Sequence, residues 1–363
     1  MEDGMPPAAA EEVSLAELAE LEAARREVAA EAAAQEAQPA AGEEAAAAVN
    51  LNGIDDRAES AAALVYAILG NSRALGNIAA KLEPFNLQCT IDFTPAGAAH
   101  IRVQDRARIC VIAIDVTSWL VYRLAAAGGG ITVTLSTKAL KRCATACKAS
   151  QMLTLAVMAP ADGGGGQETI LWRLRPARGL GMDERFTLTT QDAAGDVPPD
   201  PALPADNVPP TVTVRMTAET FGRLIDSAYK NRDSALHATF SASAAGGFTI
   251  VANKWAATLP CDGGGGVGAV EEGMPAQDTC WIFVSEGGNG AAVSEPVSFS
   301  LVYLQLLAAF RAGATGLAMT LPAKVPAVGE RRARGWDASN LPLQLRFYGG
   351  LQVRMVLAQH EDE

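Results

Sequence analysis

Residues 131–158 read ITVTLSTKALKRCATACKASQMLTLAVM. The opening ITVTL alternates β-branched and apolar side chains, the period of a strand. At Thr137 the period changes. Leu140, Cys143, Ala144 and Cys147 recur at three- and four-residue spacing, and Lys138, Lys141, Arg142 and Lys148 fall on the opposite stripe. That pattern predicts a helix over 137–148 with one apolar and one basic face. Residues 152–158 return to the strand period.

The same strand–helix–strand unit recurs. It is legible at 63–69, 72–83 and 87–94, again at 211–216, 218–230 and 236–243, and again at 297–300, 301–312 and 317–321. Alternating strands fill the intervals at 99–104, 109–116, 170–175, 185–190, 248–252, 254–259, 279–284, 341–347 and 351–357. Units of this kind with meanders between them predict an α+β chain of two similar halves, each with two helices. Residues 74–105 and 222–253 share one order: helix, strand, small-residue turn, strand.

Composition sets the borders. Residues 1–56 are rich in Ala and Glu and hold 14 acidic against 2 basic residues, so the whole formal charge of -12 sits there. The remaining 307 residues balance 27 acids with 27 bases. An acidic, partly helical tail is expected at 1–56, with Ser14 and Glu17 able to cap a helix. Residues 191–210 carry Pro198, Pro199, Pro201, Pro204, Pro209 and Pro210, which predicts an extended connector. The expected organisation is a tail at 1–56, one domain at 57–191, a connector at 192–210 and a second domain at 211–363. The glycine runs 128–130, 163–166 and 263–266 are expected to be plain loops, since none continues into Lys-Ser or Lys-Thr.

Other classes fall away on residue content. The longest apolar run, 109–124, is cut by Asp115, so no membrane span is expected. The acidic N-terminus lacks the basic region of a signal peptide. The six cysteines form no C-x-x-C pair and the histidines are three, so no structural metal site and no cofactor are expected. Cys143 and Cys147 share a stripe with Leu140 and read as packing residues. There is no H-E-x-x-H, no G-x-S-x-G and no phosphate-binding loop, so an enzyme is not expected.

The helices carry the functional signal. In 72–83, Arg73, Asn77 and Lys81 repeat every four residues opposite Leu75, Ile78 and Leu82. In 218–230, Arg223 and Lys230 lie opposite Phe221, Leu224, Ile225 and Ala228, diluted by Glu219 and Asp226. Residues 301–312 are apolar almost all round apart from Gln305 and Arg311. Basic faces recurring through a repeat suit contact with a phosphate backbone without base reading.

Several stretches, taken in order, resemble the proliferating cell nuclear antigen family of DNA sliding clamps. They are 93–116 with its Gly97 turn and HIRVQD strand end, 133–144, 212–243 with Phe221 and Arg223, and Glu295-Pro296-Val297 with Phe299, Leu301 and Tyr303-Leu304. The last is Leu341-Pro342-Leu343 through Leu357-Ala358 and the acidic end Glu361-Asp362-Glu363. The resemblance covers about 300 residues from position 63 onward. It implies an α+β fold of two DNA-clamp domains, each with two helices on antiparallel sheets, and three chains closed head to tail into a ring.

By that resemblance, Arg73, Lys81, Lys138, Lys141, Arg142, Lys148, Arg223, Lys230 and Arg311 would surround double-stranded DNA. A hydrophobic pocket for a short partner peptide would use Arg108, Ile109, Leu203, Pro342, Val356, Leu357 and Ala358. Gln104, Val356 and Gln359 depart from the family pattern there, and the connector is longer. The subunit contact would set Arg185, Phe186 and Leu188 of strand 185–190 against Lys254, Ala256 and Thr258 of the next chain. Implied partners are DNA, further copies of the chain, a DNA polymerase, a clamp loader and other proteins with a clamp-binding peptide, in replication and repair. The implied place is the nucleus, or a viral replication compartment. A subunit of a heterotrimeric checkpoint-type clamp, a monomeric viral processivity factor and a β-rich structural protein are the alternatives.

Overall fold

The structure is a computed structural model of the chain. It describes residues 57–125, 129–160, 167–177, 182–192, 198, 211–267, 275–284, 293–323 and 342–358. The tail expected at 1–56, Leu203, most of the 192–210 connector and Gln359 lie outside these residues.

The first half runs α1 (Arg57–Ala62), β1 (Ala63–Leu69), α2 (Ser72–Ala79), β2 (Gln88–Phe93), β3 (Ala99–Gln104), β4 (Cys110–Val116) and β5 (Trp119–Leu124). It continues with β6 (Ile131–Ser136), α3 (Thr137–Thr145), β7 (Gln151–Met158), β8 (Thr169–Pro176) and β9 (Glu184–Thr189). The second half runs β10 (Thr211–Thr217), α4 (Ala218–Lys230), β11 (His237–Ser243), β12 (Gly247–Ala252), β13 (Trp255–Leu259), β14 (Cys261–Val267) and β15 (Cys280–Val284). It ends with β16 (Val297–Ser300), α5 (Leu301–Ala308) with a 3-10 turn at Ala309–Arg311, β17 (Ala314–Pro322), β18 (Leu343–Gly349) and β19 (Gln352–Leu357).

Side chains fix where three of the helices start. Asn71, Ser136 and Thr217 accept from the backbone N–H of Arg73, Ala139 and Thr220, at 3.1, 3.4 and 3.1 Å. Each satisfies a donor that the first turn leaves open.

The strands make three sheets, ordered β5-β1-β7-β8-β9, β14-β15-β10-β17-β18-β19-β4-β3-β2-β6 and β13-β12-β11-β16. This arrangement is a repeat. The run β5-β1-β7-β8-β9 of the first half corresponds to β15-β10-β17-β18-β19 of the second, and β4-β3-β2-β6 corresponds to β13-β12-β11-β16. The halves join where β19 pairs antiparallel with β4, from Gln352 opposite Asp115 to Leu357 opposite Cys110. One apolar core threads both halves, with Trp172, Phe93, Phe221, Phe240, Phe299 and Phe347 among its largest fully buried side chains.

Helices α2 and α4 each carry glycine at the fifth position. A Cβ on Gly76 would lie 2.6 Å from the Ala144 carbonyl oxygen and 2.7 Å from the Cys147 Cβ, so α2 and α3 meet backbone to backbone. A Cβ on Gly222 would lie 2.2 Å from the Arg311 side chain. The same opening in α4 admits a cation instead of a helix backbone.

Some expectations change. The helix expected over 72–83 stops at Ala79 and continues as turns, and the one expected over 137–148 stops at Thr145. β5 was hidden inside the continuous apolar run 109–124. Residues 263–266, expected as a loop, belong to β14, which pairs parallel with β15; glycines present no side chains from which a period could be read.

Candidate functional site

The helix faces turned away from the sheets differ between the halves. On α3, Lys138 and Arg142 are exposed, and no acid lies within ion-pair distance of either among the described residues. Lys141 pairs with Glu83 at 3.0 Å and Lys148 approaches Glu184 at 4.0 Å. Both pairs keep enough solvent contact for their attraction to be weak. Arg73 on α2 is half-buried. Lys81 departs from the expectation: it is 7% exposed, because α2 has ended before it and the turn carries it inward.

In the second half two of the three expected cations are offset. Arg223 is bound to Asp278. Arg311 departs from the expectation of an offered charge: it lies over Gly222 and pairs with Asp226 at 2.8 Å and Glu219 at 3.6 Å. Lys230 is exposed at the end of α4. Among the described helices, the unpaired basic face is therefore concentrated on α3 and its following turn.

The thiols of α3 and of the turn after it are poor nucleophiles near neutral pH. Burial pushes Cys143 up to about 11 and Cys147 up to about 12, leaving both protonated near neutral pH. Among the described residues no group of three or more His, Cys, Asp and Glu could hold a metal ion.

A second cluster forms at one end of the β19–β4 seam. Ile109 is 38% exposed, and its carbonyl accepts from the Ala358 N–H at 2.9 Å. Arg108 beside it is exposed and holds φ at 59°, a left-handed turn. Pro342 and Val356 are half-buried nearby in register, since Leu343 faces Leu357 and Gln344 faces Val356. Leu357 departs from the expected pocket set: at 1% exposure it belongs to the core of the sheet.

The start of the connector runs toward this cluster. Gln191 donates its backbone N–H to the Thr134 carbonyl at 2.9 Å, and Gln88 reaches Gln191 and Asp192 at 3.2 and 3.4 Å. Arg102, held by Asp92 at 3.2 Å, donates to the Pro198 carbonyl at 3.4 Å. Those anchors sit on β6, β2 and β3, in sheet order, and the next strand is β4. Sequence reading missed Gln88 and Arg102, whose partners are about a hundred residues away.

Side chains fasten the seam itself. Asp115 on β4 is 7% exposed. It accepts from Arg354 on β19 at 2.7 and 3.0 Å and sits 2.7 Å from His100 Nδ1. Burial alone would raise its carboxyl, but the hydrogen bonds and charges of Arg354 and His100 hold it below its ordinary value.

Two edge strands have no partner strand on their outer side among the described residues. β9 closes one sheet and β13 closes another. In the repeat, β9 corresponds to β19 and β13 to β4, the two strands that pair at the seam. Arg185, Ala256 and Thr258 are exposed on these edges, Phe186 is half-buried and Leu188 is buried. Lys254, expected on the strand, lies in the turn before it, next to Asn253 at φ 55°.

No sequence-family model matches the chain, and no curated protein matches it either. Solved structures do. It is similar to proliferating cellular nuclear antigen from Entamoeba histolytica, with TM-score 0.59 and 13% identity, over 82% of this chain and 100% of that one. It is similar also to the PCNA2–PCNA3 complex from Sulfolobus tokodaii, with TM-score 0.56 and 18% identity, over 81% and 99%. The chain thus has the clamp fold of proliferating cell nuclear antigen.

Proposed function

We propose that the protein is a DNA sliding clamp: a ring of three chains that encircles duplex DNA and tethers a polymerase and other proteins through the cluster around Ile109. The observation that carries the reading is the pair of open edges. β19 and β4 join the halves inside one chain, and their counterparts β9 and β13 are left unpaired at the ends. Joining β9 of one chain to β13 of the next repeats an existing joint, head to tail, which closes a ring when the rotation allows it. Unpaired edges are otherwise prone to promiscuous association.

The exposed Lys138 and Arg142, with Lys141, Lys148, Arg73 and Lys230, suit the hole of such a ring. Cations that meet only phosphates give attraction without register, so the ring stays on DNA and still slides. Enclosure then supplies retention in place of affinity. The mechanism needs no covalent step, and no side chain is assigned one.

Binding to closed circular and linearised duplexes of one sequence tests this. After assembly on nicked circles, protein should stay with the circle at about 0.2 M salt, where electrostatic attraction is weak. It should be lost once a restriction enzyme opens the circle. Equal retention on circular and linear DNA would contradict enclosure.

A further inference from the structure

The turn between β3 and β4, from Asp105 to Cys110 at the start of β4, is built around one carboxylate. Asp105 is 5% exposed. It accepts from the Cys110 N–H at 2.6 Å, the Ala107 N–H at 3.1 Å and the Tyr303 hydroxyl at 2.5 Å. Its backbone closes the same loop, with Asp105 N–H to the Cys110 carbonyl and Arg108 N–H to the Asp105 carbonyl, both 3.0 Å. Two of these donors come from the loop. The third comes from α5 in the other half of the molecule, 198 residues away in sequence.

We propose that Tyr303 is a positioning residue for partner binding: its hydroxyl locks the Asp105 carboxylate, which sets the turn presenting Arg108 and Ile109. The inference rests on the reading of the Ile109 cluster as the partner pocket. The left-handed Arg108 is a conformation that a non-glycine residue keeps only when its surroundings impose it. A carboxylate that accepts three hydrogen bonds while buried is such a constraint, and charge-assisted bonds are the strong ones. Burial, then the bond to Asp105, push the Tyr303 hydroxyl well above its ordinary range, so it remains a donor wherever the protein is folded. Ala139 occupies the matching third position of α3, so the repeat holds no second copy of this latch.

The test is Tyr303→Phe, which removes one oxygen and keeps the ring. Amide hydrogen exchange of Ala107 and Cys110 is measured together with binding of a fluorescein-labelled peptide carrying two adjacent phenylalanines. Exchange at those amides should quicken by about tenfold, since their acceptor loses its third anchor. Peptide affinity should fall several-fold and the unfolding midpoint should drop, since a buried carboxylate loses one of its three donors, with the solution mass unchanged. Ile109→Ala should weaken the peptide without altering exchange. In the double variant the loss should fall short of the product of the single losses, because both act through one loop. Unchanged exchange in Tyr303→Phe, or strictly multiplicative losses, would overturn the positioning role. Should the native protein fail to bind the peptide, the pocket reading falls, while the exchange rates alone still decide for or against the latch.

Discussion

The seam within the chain and the two edge strands proposed to join neighbouring chains differ in how they are held. At the seam, β19 and β4 pair along their length, and side chains clamp the pairing from both sides: Arg354 and His100 on Asp115, and Tyr303 on Asp105. At the open edges, β9 and β13 present backbone groups with Arg185, Thr187, Ala256 and Thr258 alongside. The comparison teaches that one ladder can serve as a permanent bond or as a separable one, depending on buried charge. On the proposed reading, a ring that opens to admit DNA would need the second kind between chains and the first kind within the chain.

The largest effect should come from breaking the separable joint. Proline has no ladder donor. Ala256→Pro and Ala257→Pro place it at adjacent positions whose N–H groups point to opposite sides of β13. The variant whose lost donor faced away from β12 should drop from three chains to one on a sizing column and keep its unfolding midpoint. If both variants stay assembled, the joint lies elsewhere.

Next is the permanent joint. Asp115→Ala strands Arg354 and His100 in a mostly buried place and should cost about 2–3 kcal/mol of unfolding free energy, read by urea denaturation. The native protein should show the same dependence through pH. The Asp115 carboxyl is depressed in the fold, so its contribution is full above the unfolded value near 4 and is lost as pH falls through the lower, folded one. Asp115→Asn should flatten that acid limb, and an unaltered limb would remove Asp115 from the account.

A third substitution separates the joints from the hole. Lys138→Ala, Lys141→Ala and Arg142→Ala together should leave the mass unchanged and reduce the salt dependence of DNA binding by about 2.7 in logarithmic slope for each chain of the ring whose α3 meets the duplex, near 0.9 per phosphate contact. Arg223→Ala should change it least, because Asp278 already offsets that charge. Equal effects from α3 and α4 would refute the uneven basic surface.

The fold was largely legible in the sequence because its units are short and strictly periodic. The change from strand to helix period at Thr137, Ala218 and Leu301 marks helix starts that the structure keeps. The ends were less legible. Extending the four-residue stripe of α2 placed Lys81 outside, but the helix stops at Ala79 and the phase is lost. Charge pairing was not legible at all: Arg311 is neutralised by Asp226 and Glu219, over eighty residues away, through a gap that Gly222 leaves open. The cluster around Ile109 was found through resemblance, and its fastening by Asp105 and Tyr303 appears only once the halves are packed.

Light scattering on a sizing column, across a wide range of protein concentration, decides whether the chains close into a ring. A closed head-to-tail ring should give about 113 kDa, three times the 37.7 kDa of one chain. A mass that stays at one chain throughout, or one that grows without limit as open-ended polymers would, contradicts the ring.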